Sequence, residues 1–275
     1  MCRILGYLGS HISLDQLMLE PEHSMRVQSY KPKELEGAIL NGDGFGFGWH
    51  DRPEVEPFVY RNVLPMWNDR SLEDLCRYIQ SRNFVVNLRS ATANMPVDIS
   101  NCQPFAYKQW LFVHNGLIEN FFDTLQRPIR DMLCDAAYRS IRGLTDSEHI
   151  FALLVHHLET QPGIDIAEAL LQTMNIVVKM ANAAGVRVAA NIILSTGDRL
   201  IALRYDNQQQ APSLYLLKNA KRFPDSVILT SEALFRNDGK NDGENDGEND
   251  WQPYNQSELV SIDSKLNIQT YATIA

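Results

Sequence analysis

Cys2 stands directly behind the initiator methionine. Methionine before a small residue is commonly trimmed, so the mature chain is expected to start at Cys2, with a thiol and a free α-amine on one residue. A free α-amine titrates closer to neutrality than a lysine does. Part of it is unprotonated at pH 7 and can take the thiol proton directly or through one water. That is a nucleophile with its own base, the requirement of covalent catalysis, assembled without a histidine. On position alone, a small second residue that merely permits trimming is the simpler reading. Three further clusters shift the balance: Leu88-Arg89-Ser90-Ala91-Thr92, His114-Asn115-Gly116 and Thr145-Asp146-Ser147-Glu148. Each is weak alone. Arg-x-x-Thr is commonplace, Asn-Gly is the usual signal for a tight turn, and Asp-Ser-Glu before an apolar run is ordinary helix capping.

The elements around these clusters must hold them rigidly. Arg3–Gly9 reads as a buried strand, so a nucleophile at Cys2 would be anchored on it. Asn41–His50 reads as a turn followed by a strand that alternates glycine with aromatics, leaving one face bare for another backbone or a ligand. Phe58–Arg61 is expected to pair with it as a hairpin. Ser71–Gln80 has a serine cap and acids in its first turn, a helix start. Phe84–Arg89 and Trp110–His114 are short β-rich runs, with His114 at the end of its strand. Ser147–Leu158 reads as a helix capped by Asp146 or Ser147. The apolar spacing from Ile166 to Ala181 predicts a second helix, closed by Gly185. Six β-rich runs follow: Val186–Leu194, Leu200–Tyr205, Leu214–Leu217, Val227–Leu229, Leu259–Ile262 and Leu266–Tyr271. Helices bracketed by strands on both sides suit sheets covered by helices.

Composition bounds the rest. The chain has 275 residues, 44% hydrophobic and 21% charged, with a net charge of −9, which gives no attraction to nucleic acid or to an anionic membrane. Much of the acidity sits in Asn237–Asp250, where Asn-Asp-Gly-(Lys/Glu) repeats. Its spacing matches neither an EF-hand nor a β-roll, so a flexible solvated insertion is expected at about 237–250. The four cysteines, Cys2, Cys76, Cys102 and Cys134, form no C-x-x-C pair, and no secretory signal or membrane-length apolar run is present. A cytoplasmic protein without disulfides or zinc is the expectation. Cys76 reads as a small core residue. His156-His157 lies on a helix where adjacent side chains diverge, so no metal site is expected there. His50 and His149 have no partner visible in the sequence. The Gly-rich 42–48 segment opens no long amphipathic helix and is not read as a phosphate loop.

In order, and with cysteine at position two, the four clusters resemble the glutaminase domain of class II glutamine amidotransferases. The resemblance implies an α+β fold, the four-layer α-β-β-α sandwich of N-terminal-nucleophile hydrolases, as a single amidohydrolase domain over residues 2–275. It implies that the Cys2 thiolate attacks a γ-amide carbonyl and forms a glutamyl thioester. The developing oxyanion would take donors from the Asn115 side chain and the Gly116 N–H, with glycine at 116 letting the backbone turn and approach the substrate. Arg89 would grip the glutamyl α-carboxylate with a planar fork better than lysine could, Thr92 would add a hydroxyl, and Asp146 would meet the α-ammonium. Gly44 would shape the pocket wall and Asp43 would be a structural turn residue. No cofactor is implied.

A narrower resemblance rests on Leu19-Glu20-Pro21, Ser24 to Tyr30, Asn41 to Gly46, Pro65 to Asp69, Arg89 to Pro96 and Trp110 to Gly116. These are similar to the ergothioneine-biosynthesis branch, which removes glutamate from γ-glutamyl-hercynylcysteine sulfoxide. The similarity is dense to about residue 120 and thinner beyond. Arg26, Gln28 and Tyr30 are then either leaving-group contacts or structural. After about residue 150 the chain has just enough left to finish the sandwich, so water rather than an acceptor domain is the expected second substrate. The expected partner is a small γ-glutamyl molecule, with no nucleic acid and no membrane, and a homodimer left open. Two alternatives stand beside this reading. One is a glutaminase subunit that delivers ammonia to a separate acceptor protein; the other is a non-catalytic γ-glutamyl-binding or scaffold module.

Overall fold

The computed structural model describes residues 1–34, 39–52, 55–91, 95–235 and 251–271. Thr92 and the Asn-Asp-Gly repeat at 237–250 lie outside the described residues. Among those described, seven strands form one antiparallel sheet in the order β11 (Gln252–Pro253), β9 (Tyr215–Ala220), β10 (Phe223–Thr230), β1 (Arg3–Ser13), β4 (Gln80–Leu88), β2 (Phe45–Trp49) and β3 (Phe58–Asn62). Six form a second: β13 (Ile268–Tyr271), β12 (Glu258–Ile262), β8 (Leu200–Asp206), β7 (Val188–Ser195), β6 (Trp110–Ile118) and β5 (Phe105–Tyr107).

The period-two alternation of strand side chains sorts each strand into an inner and an outer face. On β1, Ile4 and Leu8 pack between the sheets with Val85 of β4, Val113 of β6 and Ile193 of β7. Leu5 and Tyr7 face outward, under α1 (Asp15–Met18), α2 (Met25–Tyr30) and α3 (Leu72–Tyr78). On the second sheet the outward residues Phe112, Ile192 and Leu194 lie under the other helices. These are α4 (Gln126–Met132), α5 (Asp135–Ser140), α6 (Asp146–Thr160) and α7 (Ile166–Ala184). The result is the expected α-β-β-α sandwich. Each fully buried aliphatic side chain in its three apolar layers contributes about 1.5–3 kcal/mol.

The glycine–aromatic strand behaves as its pattern predicts. Phe45 and Phe47 are buried on the outer face. The bare inner face admits a backbone: a Cβ at Gly46 would stand 2.3 Å from the Gln103 carbonyl oxygen. β3 pairs with β2 from Phe45↔Asn62 to Trp49↔Phe58, the expected hairpin. Gly185 ends α7 as read from the sequence.

Four local readings are corrected. Ser71 precedes α3, but its side chain caps nothing; its N–H donates to Asp69 Oδ1 at 3.0 Å. α6 is capped one residue earlier than expected, by Thr145, whose hydroxyl accepts from Glu148 N at 3.2 Å. His114 does not end its strand, and Asn115-Gly116 is not a turn, because β6 runs on to Ile118 paired with β7 throughout. The apolar patterns are too short to announce α1, α2, α4 and α5, of four to seven residues; packing on the sheets holds them rather than propensity.

Candidate active site

Cys2 continues the alternation of β1, so it shares the inner face of Ile4 and Leu8 at the open end of the sandwich. Its Sγ lies 3.8 Å from the Ser90 carbonyl oxygen. Arg3 faces outward and is fully buried, with Nε 2.9 Å from Glu232 Oε1. Glu232 also takes His23 Nε2 at 2.6 Å and the N–H groups of Lys33 and Glu34 at 2.8 and 3.0 Å. Burial works to raise the pKa of the Glu232 carboxyl. The His23 bond, the two N–H donors and the Arg3 charge overcome it and hold the carboxyl below its ordinary value. The residue beside the candidate nucleophile is thereby fixed to the chain after β10.

A cleft of about 410 Å³ opens over Cys2, within the usual size range for small-molecule sites. It brings together Cys2, Arg89, Gly116 and Asp146, four of the six residues singled out in the sequence. Arg89 follows β4 and is almost wholly buried. Its Nη1 and Nη2 donate to the carbonyl oxygens of Asp43 and Pro96, both at 3.1 Å. Two of five N–H groups are so used, and the guanidinium is aimed rather than free. Asp43 is structural as expected, its Oδ2 accepting from Ala91 N at 2.8 Å. Gly44 is not on the cleft wall; it backs the site, where an added Cβ would stand 2.7 Å from Cys102 Sγ.

The edge of β6 supplies the donors. β5 pairs only from Phe105↔Phe112 to Tyr107↔Trp110, leaving the rest of that edge without a strand among the described residues. The Gln103 side chain stands in for one: Oε1 accepts from His114 N at 2.6 Å and Nε2 donates to His114 O at 3.1 Å. Two residues past Gly116, the Ile118 N–H donates to Asp146 Oδ2 at 2.8 Å. Alternate N–H groups of a strand point the same way. The Gly116 N–H, between these two, therefore points out of the sheet into the cleft. Glycine is required here for closeness, not for turning: a Cβ would lie 1.9 Å from the Ala189 carbonyl oxygen.

Asn115 alternates with Leu111 and Val113, so its side chain stands on the inner face, the side from which Cys2 projects. It is fully buried and is not part of the cleft lining. Neither its Nδ2 nor its Oδ1 has a hydrogen-bond partner among the described residues. Leaving an amide so costs about 1–3 kcal/mol, the kind of defect that marks a group awaiting a ligand. Asp146 opens α6, and its Oδ1 accepts from Ser147 N at 2.7 Å. His114 lines the cleft with Nδ1 2.8 Å from Ser147 Oγ. Burial drives its pKa down against the pull of Asp146, so the ring is neutral at pH 7.

Sequence reasoning missed Gln103 and Arg187, which also line the cleft. Nothing local marks Gln103. Arg187 is the one charged residue in the apolar Val186–Leu194 run, a signal that could have found it. Arg26, Gln28 and Tyr30 do not line the cleft. Gln28 is buried and donates to the His23 and Glu232 carbonyl oxygens at 3.0 and 3.3 Å, while Arg26 pairs with Glu73. Three further histidines are held by their neighbours: His50 Nε2 by Gln109 O at 2.9 Å, His149 Nδ1 by Thr145 O at 2.7 Å, and His156 Nδ1 by Cys134 N at 3.1 Å. Cys76 is core, its thiol pushed up to about 12 by burial. No described helix is long and apolar enough to cross a membrane.

A family model, glutamine amidotransferases class-II, matches residues 20–229. A γ-glutamyl-hercynylcysteine sulfoxide hydrolase of Mycobacterium tuberculosis (strain CDC 1551 / Oshkosh) is 32% identical over 232 residues, 84% of each chain. A protein of the same name from Mycolicibacterium smegmatis is 38% identical over 119 residues, 43% of this chain and 52% of that one. A glutamine aminotransferase class-II domain protein from Silicibacter pomeroyi matches in structure with a TM-score of 0.67 at 23% identity, over 99% of both chains, a likeness of fold.

Proposed function

The chain belongs to the class II glutamine amidotransferases, and from that premise we propose that it hydrolyses a γ-glutamyl amide through a thioester on Cys2. The substrate is γ-glutamyl-hercynylcysteine sulfoxide, the compound in the name of the Mycobacterium tuberculosis relative. The observation that carries the reading is a shared cleft. The Cys2 thiol, the Arg89 guanidinium, the Asp146 carboxylate and the outward Gly116 N–H line it, and the neighbouring residue Asn115 holds a buried amide that has no partner among the described residues.

The steps follow from these groups. With Met1 removed, the Cys2 α-amine takes the thiol proton and the sulfur attacks the γ-carbonyl carbon. The Gly116 N–H and the Asn115 Nδ2 stabilise the oxyanion, a term that in other enzymes is worth about 10²–10³ in turnover per donor. Collapse breaks the C–N bond, and the leaving amine departs with the proton held by the α-amine. Water then adds to the thioester and releases glutamate and the thiol. Arg89 and Asp146 hold the α-carboxylate and α-ammonium of the glutamyl head, a charge-matched clamp.

The test is glutamate release from γ-glutamyl-hercynylcysteine sulfoxide and from free glutamine, with Cys2→Ala as control. We expect the sulfoxide to be turned over faster and the Cys2→Ala protein to be inactive. Faster turnover of glutamine would overturn the narrower assignment in favour of a glutaminase. Full activity in Cys2→Ala would overturn the mechanism.

A further inference from the structure

Arg187 has no part in the steps above, yet it is the most firmly built cation on the cleft besides Arg89. It directly precedes β7 and, by alternation with Asn191 and Ile193, lies on the inner face of the second sheet. Cys2 and Arg89 belong to the first sheet. The two guanidiniums thus enter one cleft from opposite layers.

The side chain is held on one edge only. Nε and Nη2 donate to Asp206 Oδ2 at 3.0 and 2.6 Å, and Nη2 also to the Gln210 carbonyl oxygen at 2.9 Å. Asp206 is fully buried, and its Oδ1 is fixed by the Gln208 N–H at 2.7 Å. The Arg187 Nη1 makes no hydrogen bond among the described residues. A fork oriented in this way gives up little side-chain freedom when it takes an acceptor oxygen.

A glutamyl head offers one carboxylate and one ammonium, and Arg89 and Asp146 suffice for them. A second guanidinium is surplus for glutamine, whose leaving group is ammonia. It is useful when the leaving amine carries an anion of its own. We infer that Arg187 receives the carboxylate of the amino-acid leaving group and so favours γ-glutamyl amino acid derivatives over γ-glutamyl amides that lack that carboxylate. The inference rests on the proposed hydrolysis at Cys2 and assigns a residue to its leaving group.

Two compounds that differ only in that carboxylate provide the test: γ-glutamyl-S-methylcysteine sulfoxide and γ-glutamyl-S-methylcysteamine sulfoxide. Glutamate release gives kcat/KM for each. In the wild-type protein the carboxylated compound is expected to lead by about 10- to 100-fold, the value of one charge-assisted hydrogen bond. Arg187→Met should erase most of that ratio, and Arg187→Lys should retain part of it. Because Arg187→Met alone strands a buried Asp206, the pair Arg187→Met with Asp206→Asn is measured beside it and should show the same loss. An unchanged ratio in either folded variant, or a wild-type protein with no preference, overturns the inference. A wild-type protein that releases glutamate from neither compound, nor from γ-glutamyl-hercynylcysteine sulfoxide, nor from glutamine overturns the hydrolase reading itself.

Discussion

Asn115 is the residue whose surroundings make least sense without a ligand. A fully buried amide with both polar atoms unpartnered among the described residues is an energetic debit in the free protein. In the proposed mechanism that cost is recovered when an oxyanion forms beside it. Asn115→Ala should therefore lower kcat by about 10²–10³ while KM changes little. Steady-state kinetics check this, and a change in KM alone would remove Asn115 from transition-state stabilisation. Arg89 makes the contrasting case. Its fork already rests on two carbonyl oxygens, geometry that an ammonium cannot reproduce. Arg89→Lys should raise KM by about tenfold or more through loss of bidentate carboxylate capture; unchanged kinetics would exclude it from the site.

At the scale of elements, the start of β1 is positioned from the far end of the chain. Glu232, beyond β10, binds Arg3, His23 and two backbone N–H groups in one buried cluster. Removing one partner of a buried ion pair leaves an uncompensated charge and costs about 3–5 kcal/mol. Glu232→Ala should lose that much unfolding free energy in urea titration. A loss within 0.5 kcal/mol, roughly the effect of an ordinary surface substitution, would show that the cluster does not brace the strand. β6 poses a steric version of the same question. Gly116→Ala drives a Cβ into the Ala189 carbonyl, so strands β6 and β7 must separate, and a melting temperature well below wild type is the expected reading.

For the whole molecule, pH dependence follows from histidines kept neutral. Burial lowers the pKa of His50, His114 and His149 below the ordinary 6.5. The unfolded chain then binds protons more readily than the folded one as pH falls through 6.5. Stability is full above that value and is lost progressively as pH drops from about 6.5 toward the lowered folded values. Thermal melts of the Cys2→Ala protein between pH 8 and pH 5 should show Tm falling on the acid side. Replacing His114 with Asn should flatten part of the slope.

The sequence alone singled out Cys2, Arg89, Gly116 and Asp146, which the fold brings to one cleft. It also carried the long helix closed by Gly185, the glycine–aromatic hairpin and the run of strands that made the sandwich the expected fold. These are local signals: residue chemistry, period and capping are written within a few positions of where they act. Only the tertiary structure decided that Asn115-Gly116 lies in mid-strand, with the Gly116 N–H on the open strand edge and the Asn115 side chain on the inner face. It likewise decided that Gln103 substitutes for a missing strand, that Gly44 backs the site, and that Arg187 enters the cleft from the opposite sheet. Those facts depend on pairings between distant segments, His23 and Glu232 being 209 residues apart. No window of sequence contains both halves of such a contact, so its energy leaves no local pattern to read.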